Sequence, residues 1–206
     1  MQTLLALLAT LMAAPSDNPN PWRHSNTTDN VRVYVRDVPD SAVREVKSTS
    51  LIPAKPERVF EVLLDLDNYV HFMPYVEEAR RLEKIDEHSF YGYQRLNPPL
   101  VSRRDYTLRY TVSADPENNH YRLSWDEAPD KGPQPIRGVV RLEICQGWWS
   151  LEADNGGKAT RATYWLYTHP GGSIPAWIAN RANTSSLPEL HRALRERSLN
   201  PNWTND

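Results

Sequence analysis

A single cysteine, Cys145, occurs in the 206 residues. That excludes a disulfide framework within the chain and any metal site built on clustered thiolates. Glycine is also scarce, at eight residues, and no G-x-G-x-x-G or Walker A pattern is present, so nucleotide phosphates have no glycine-rich cradle. A G-x-S-x-G elbow is missing too. The six histidines (His24, His71, His88, His120, His169, His191) show neither H-x-x-x-H nor H-E-x-x-H spacing, and no metal or cofactor is expected. No apolar run reaches the roughly 20 residues of a membrane-spanning helix. Neither charge is in large surplus: 24 Lys and Arg face 26 Asp and Glu, a formal net charge of −2. Nucleic acid therefore has no electrostatic claim as a partner. Phenylalanine occurs three times against seven Trp and ten Tyr, so most rings carry a polar group that needs a partner.

The N-terminus holds the one uncharged apolar stretch, LLALLATLMAA from Leu4 to Ala14. It is too short to span a bilayer and fits the h-region of a secretory signal peptide, with small residues before a polar segment. Residues 1–14 are thus expected to be a signal peptide, and the protein to be exported, periplasmic or secreted. Residues 15–30, rich in Asn, Pro, Ser and Thr, read as a linker. No Cys stands directly after the apolar stretch, so no lipoprotein anchor is expected.

The body of the chain, 31–198, reads as one α+β domain, with 199–206 as a tail. Val31–Arg36 and Val43–Ile52 form an early hairpin around Pro39-Asp40-Ser41. Pro56 and Glu57 open an amphipathic helix carrying Val59, Phe60, Leu63, Leu66 and Val70, expected to run to Met73. The period then changes to two. Strands are predicted at 79–85, 89–96, 104–113, 120–127, 138–151 and 160–168, joined by turn-forming segments that make them antiparallel. A final helix is expected over Ile174–Arg197, with a kink or break at Pro188.

Thirteen of the twenty aromatic residues lie between Phe90 and Trp177. Strand parity puts Tyr106, Leu108, Tyr110 and Val112 on one face, Tyr121, Leu123 and Trp125 on another, and Tyr91 with Tyr93. Such rings either fill a solid core or wall a hollow for an apolar ligand with one or two polar groups. Composition does not decide between the two.

Four stretches in order carry a family resemblance: IPAKPERVFEVLLDLDNYVHFMPYVEEARRLE (52–83), PPLVSRRDYTLRY (98–110), GVVRLEICQGWWSLE (138–152) and YTHPGGSIPAWIANRANTSSLPELHRAL (167–194). With them the chain resembles the StAR-related lipid transfer (START) domains, of bacterial exported type, within the Bet v 1-like helix-grip superfamily. The resemblance implies a curved antiparallel sheet wrapped around a long C-terminal helix, with an internal hydrophobic cavity. It also implies a lipid or sterol-like ligand, transient contact with membranes and a monomeric carrier rather than an enzyme. In sterol-binding relatives an arginine stands six residues beyond the first arginine of the R-D-[FY] strand. Counting from Arg104 that position is Tyr110, which implies a neutral hydroxyl anchor, and Arg109 is expected to face outward.

The expected ligand-binding set is Tyr93, Tyr106, Tyr110, Leu123, Trp125 and Trp165 from the sheet, with Trp177 and Arg181 from the last helix. Trp125 is expected to matter more for retention than for folding. One of Trp148 and Trp149 faces the cavity, and the choice between Tyr164 and Trp165 is open. Arg103-Arg104-Asp105 reads as a surface ion-pair cluster, Asp65 and Asp67 as a solvated helix face, and Cys145 as a packing residue. The loop at Gly171-Gly172 and the helix with Pro188 are the expected gate. The other reading is a polyketide cyclase or aromatase using the same cavity. It needs an acid or base inside, and the Tyr106/Tyr110 and Leu123/Trp125 faces are expected to hold no Asp, Glu or His.

Overall fold

Alternation of apolar and polar residues continues through most of the chain beyond residue 22, and the backbone follows it. A computed structural model describes residues 20–99, 101–169, 171–172 and 174–202; the expected signal peptide lies outside them. Among the described residues are ten strands: β1 (Arg23–Thr28), β2 (Val31–Val38), β3 (Ser41–Ile52), β4 (Val76–Lys84), β5 (Ser89–Leu96), β6 (Arg104–Asp115), β7 (His120–Glu127), β8 (Val140–Arg141), β9 (Ile144–Asp154) and β10 (Ala159–His169). Three α-helices accompany them: α1 (Pro56–Leu64), α2 (Ala176–Ser185) and α3 (Leu187–Leu199). The strands form one curved sheet in the order β1-β2-β3-β10-β9-β7-β6-β5-β4, antiparallel throughout that path. Helices α1 and α3 pack on each other and on the sheet, and Leu187 and Leu194 of α3 join one core with Val33, Val46, Phe60, Leu63 and Leu151.

Four local expectations are corrected. Residues 23–28, expected as linker, pair with β2 as an edge strand. The first helix stops at Leu64 rather than Met73, because Asp65 leaves helical geometry (φ −83°, ψ 55°) and a 3₁₀ turn takes over from Leu66 to His71. Polar side chains support the break: Asn68 donates to Asp65 Oδ1 at 2.7 Å, and Asp67 Oδ1 accepts the Arg81 N–H at 2.8 Å. Asp65 is buried and sits 3.5 Å from Arg197, so it is no solvated face.

The expected strand 138–151 divides at Leu142-Glu143. Strand β7 ends at Glu127, opposite Leu108, which leaves the first residues of β6 with an open edge. Strand β8 fills that edge in parallel, Arg104 opposite Val140 and Asp105 opposite Arg141. The Arg141 guanidinium clamps it there with a two-pronged contact to Asp105, 3.1 and 2.7 Å. The C-terminal helix has the break expected near Pro188 and forms two helices. They break at Ser186, so Pro188 stands in the first turn of α3, where its missing N–H costs nothing.

Candidate functional site: a cavity between sheet and C-terminal helices

The concave face is built in cross-strand rows. Tyr164 of β10 stands opposite Trp149 of β9, and Trp149 opposite Leu123 of β7. In the next row Leu166, Gly147, Trp125 and Tyr110 follow one another across four strands. Gly147 makes this row possible: a Cβ there would lie 2.4 Å from the Trp125 indole and 2.7 Å from the Trp165 carbonyl oxygen. The Trp125 ring instead lies over bare backbone, tilted against Tyr110 and Tyr164 at 6.2 and 5.8 Å. Farther along β6, Tyr106 faces in beside Gln94, and Arg104 beside Leu96.

These side chains do not meet in the middle. They enclose a cavity of about 370 Å³, within the roughly 300–1,000 Å³ of small-molecule sites. Its buried end is lined by Tyr69, Leu108, Tyr110, Leu123, Trp125, Trp149 and Tyr164. Its exposed lining residues are Pro99 and, on α2, Arg181, Ala182 and Ser185, so the rim lies between Pro99 and α2.

Of the expected site residues, the structure brings Tyr106, Tyr110, Leu123, Trp125 and Arg181 together around this cavity. Three are corrected. Tyr93 is fully buried on the other side of its strand, where its hydroxyl donates to Asp105 at 3.1 Å; the inward neighbour is Gln94. Trp165 points to the convex face, stacked on Trp148 at 6.2 Å with its indole N–H donated to Glu45, so Tyr164 and Trp149 are the cavity partners. Trp177 is 66% exposed on α2 and is not among the described lining residues of this cavity.

Residues 103–105 are likewise no surface cluster. Arg103 pairs with Glu77 outside and Asp105 is buried with Arg141, while Arg104 turns into the cavity wall at 6% exposure. Arg109 does face outward. The Tyr110 hydroxyl accepts from Gln94 Nε2 at 2.7 Å, so this polar group already has a protein partner.

Burial governs the titratable groups here. It pushes the phenols of Tyr106, Tyr110, Tyr69 and Tyr164 well up from the usual tyrosine range, and the Cys145 thiol up to about 12. All stay protonated near neutrality. Among the described lining residues there is no Asp, Glu or His. The expected acid-free face needs one correction: Glu127 shares the parity of Leu123 and Trp125. Its carboxylate accepts the Cys145 N–H at 2.6 Å and the Gln146 amide at 3.3 Å, and it does not line the cavity. Iodoacetamide is accordingly expected to alkylate Cys145 far more slowly in the native protein than in urea, since burial both blocks the reagent and holds the thiol protonated. Mass-spectrometric labelling kinetics check this.

Residues 52–195 match the profile of the family described as polyketide cyclase / dehydrase and lipid transport. The structure of a STAR-related lipid transfer protein fragment from Xanthomonas axonopodis is similar at a TM-score of 0.78 and 27% identity, covering 87% of this chain and 99% of that one. Human STARD10 superposes with a TM-score of 0.76 at 20% identity, over 86% of this chain and 73% of that one. The phosphatidylcholine transfer protein of Mus musculus is 27% identical over 139 residues, 66% of this chain; that match spans only 63% of the mouse protein's length. The chain therefore belongs to the polyketide cyclase / dehydrase and lipid transport family, as a START-type helix-grip domain.

Proposed function

We propose that the protein holds one lipid-like molecule, an acyl chain or a sterol-like ring system, in this cavity and carries it unchanged through water. The observation behind the reading is the lining: a mostly apolar hollow, open at its rim, with tyrosine hydroxyls at intervals and no acid or histidine among its described residues. Apolar surface moved from water into such a wall gains about 25 cal/mol per Å², so area alone retains a hydrophobe. The names of the relatives, lipid transfer proteins in bacteria and mammals, point the same way. A cyclase or aromatase needs a group that exchanges protons near neutrality. The buried phenols and thiol are held protonated, and Glu127 is engaged outside the lining.

Loading requires an opening, and α2 is the element suited to move. Of its residues only Ala179 is buried, whereas α3 buries four. Trp177 projects from α2 beside Ile178 of the cavity lining. An exposed indole with a polar N–H suits the headgroup level of a bilayer, so α2 is read as the part that touches donor and acceptor membranes. Trp177→Ser is expected to leave the unfolding midpoint unchanged and to lower vesicle binding severalfold, measured by co-sedimentation. The signal-like segment 4–14 supports work outside the cytoplasm, which N-terminal sequencing of the mature protein checks.

Native mass spectrometry of the purified protein tests the main reading. An intact lipid is the expected adduct. A chemically altered aromatic product would mean an enzyme. An empty protein that takes up no hydrophobic dye would remove the carrier reading altogether.

A further inference from the structure

The charge inside the cavity has one sign. The protein as a whole is slightly acidic, at −2, yet the charged side chains lining the cavity among the described residues are Arg104 and Arg181. They occupy different depths. Arg181 is exposed on α2 at the rim, whereas Arg104 is 6% exposed in the wall, where β6 enters the sheet. From Arg104 the inward residues of β6 continue through Tyr106 and Leu108 to Tyr110, a path of about 20 Å at strand rise. The wall thus grades from a cation near the rim to rings and aliphatic groups at the buried end.

Resting on the reading of this cavity as a hydrophobe site, the geometry points to its ligand class: an amphiphile with an anionic oxygen head, carboxylate or phosphate, held at Arg104 with its tail along β6 toward Tyr110. A planar guanidinium matches either head with paired N–H donors. Its Nη1 also donates to the Ser102 carbonyl, which fixes the side chain's course, and five N–H groups allow more than one acceptor at a time. Shielding from water strengthens the attraction, because a charge pair in a low-dielectric site is screened far less than at the surface. The same shielding draws the guanidinium's proton affinity down, which an adjacent anion would reverse. The tail end demands no charge: the nearest polar group, the Tyr110 hydroxyl, is taken by Gln94. Arg181 then meets the head on its way in.

Four probes decide the matter by fluorescence: cis-parinaric acid and its methyl ester, which share one chain, with dodecyl phosphate and lauric acid, matched to each other at twelve carbons, as competitors. The acid is expected to bind about tenfold or more tightly than the ester. Arg104→Gln should erase that difference while the ester's affinity holds. Displacement by dodecyl phosphate as strong as by lauric acid assigns a general anionic head; displacement by lauric acid alone narrows it to carboxylates. Equal affinity for acid and ester in the wild-type protein would overturn the anionic head and leave the hydrophobe site standing. Failure of all four to bind would overturn the site itself. Because Arg104 is buried, Arg181→Gln serves as a second variant: it changes an exposed rim residue, and it should slow the acid's association in low salt more than the ester's.

Discussion

Replacing His191 by phenylalanine is expected to lower the unfolding free energy by about 3 kcal/mol, because two buried serine hydroxyls lose their partner at once. His191 is fully buried on α3, with Nε2 2.8 Å from Ser48 Oγ and Nδ1 2.7 Å from Ser50 Oγ, both on β3. Its edge rests on Trp149 at 4.9 Å. A neutral imidazole donates at one nitrogen and accepts at the other, so the two hydroxyls take complementary roles. Burial, with a smaller contribution from Arg195, lowers the ring's pKa from 6.5 to about 3. The sign follows directly. The unfolded chain takes up a proton at this ring below about pH 6.5 and the folded chain does not until about 3, so this contribution is complete above 6.5 and is lost as the pH falls toward 3. Urea titrations of wild type and His191→Phe over that window are expected to converge as the pH drops. A constant gap between the two would show that the ring is not held neutral.

Alanine at Trp125 is expected to cost about 3–5 kcal/mol of stability and roughly tenfold in affinity for a bound hydrophobe. The indole is 7% exposed and wedged between Tyr110, Tyr164 and the bare backbone of Gly147. Its removal therefore both unpacks the sheet and widens the chamber. This departs from the expectation that retention would suffer far more than folding. The ring is wall and core together, and both quantities should fall. Urea midpoints and cis-parinaric acid titration, run on the same preparation, separate them. Unchanged stability would mean that the neighbouring rings close over the gap.

Parity carried the reading of the site as far as a single strand can. Once Tyr106 faces inward, Tyr110 follows, and Leu123 fixes Trp125 in the same way. By that logic Arg104 also faces inward, two residues before Tyr106; its charge, beside Arg103 and Asp105, argued for the surface and concealed a signal that was present. The errors at Tyr93 and Trp165 have another origin. Which face of β5 or β10 meets the cavity depends on pairing across strands, Gln94 opposite Tyr106 and Tyr164 opposite Trp149, and a lone sequence does not state that register. Trp177 was misassigned because α2 has only a weak apolar stripe to orient it. His191 could not be read at all: its partners lie more than 140 positions away, and nothing local distinguishes it from the other five histidines.

The break in the first helix and the split of β8 from β9 share a feature that patterning does not register. Beside each, a buried carboxylate pairs with an arginine from elsewhere in the chain, Asp65 with Arg197 and Asp105 with Arg141. The α+β class and the order of the longer elements, β1 and β8 apart, were nonetheless legible from hydrophobic period and turn chemistry alone.

The join between β3 and β10 sets an assembly order. Ile52 pairs with Thr160 across more than one hundred intervening positions, and the neighbouring β3 residues Ser48 and Ser50 await His191. Contacts so distant along the chain make for slow folding, since closure entropy must be met before pairing compensates it. A nascent chain that stops short of β10 keeps the paired edge of β3 unmatched. The compartment for a guest thus comes into being late, at the step that completes the sheet.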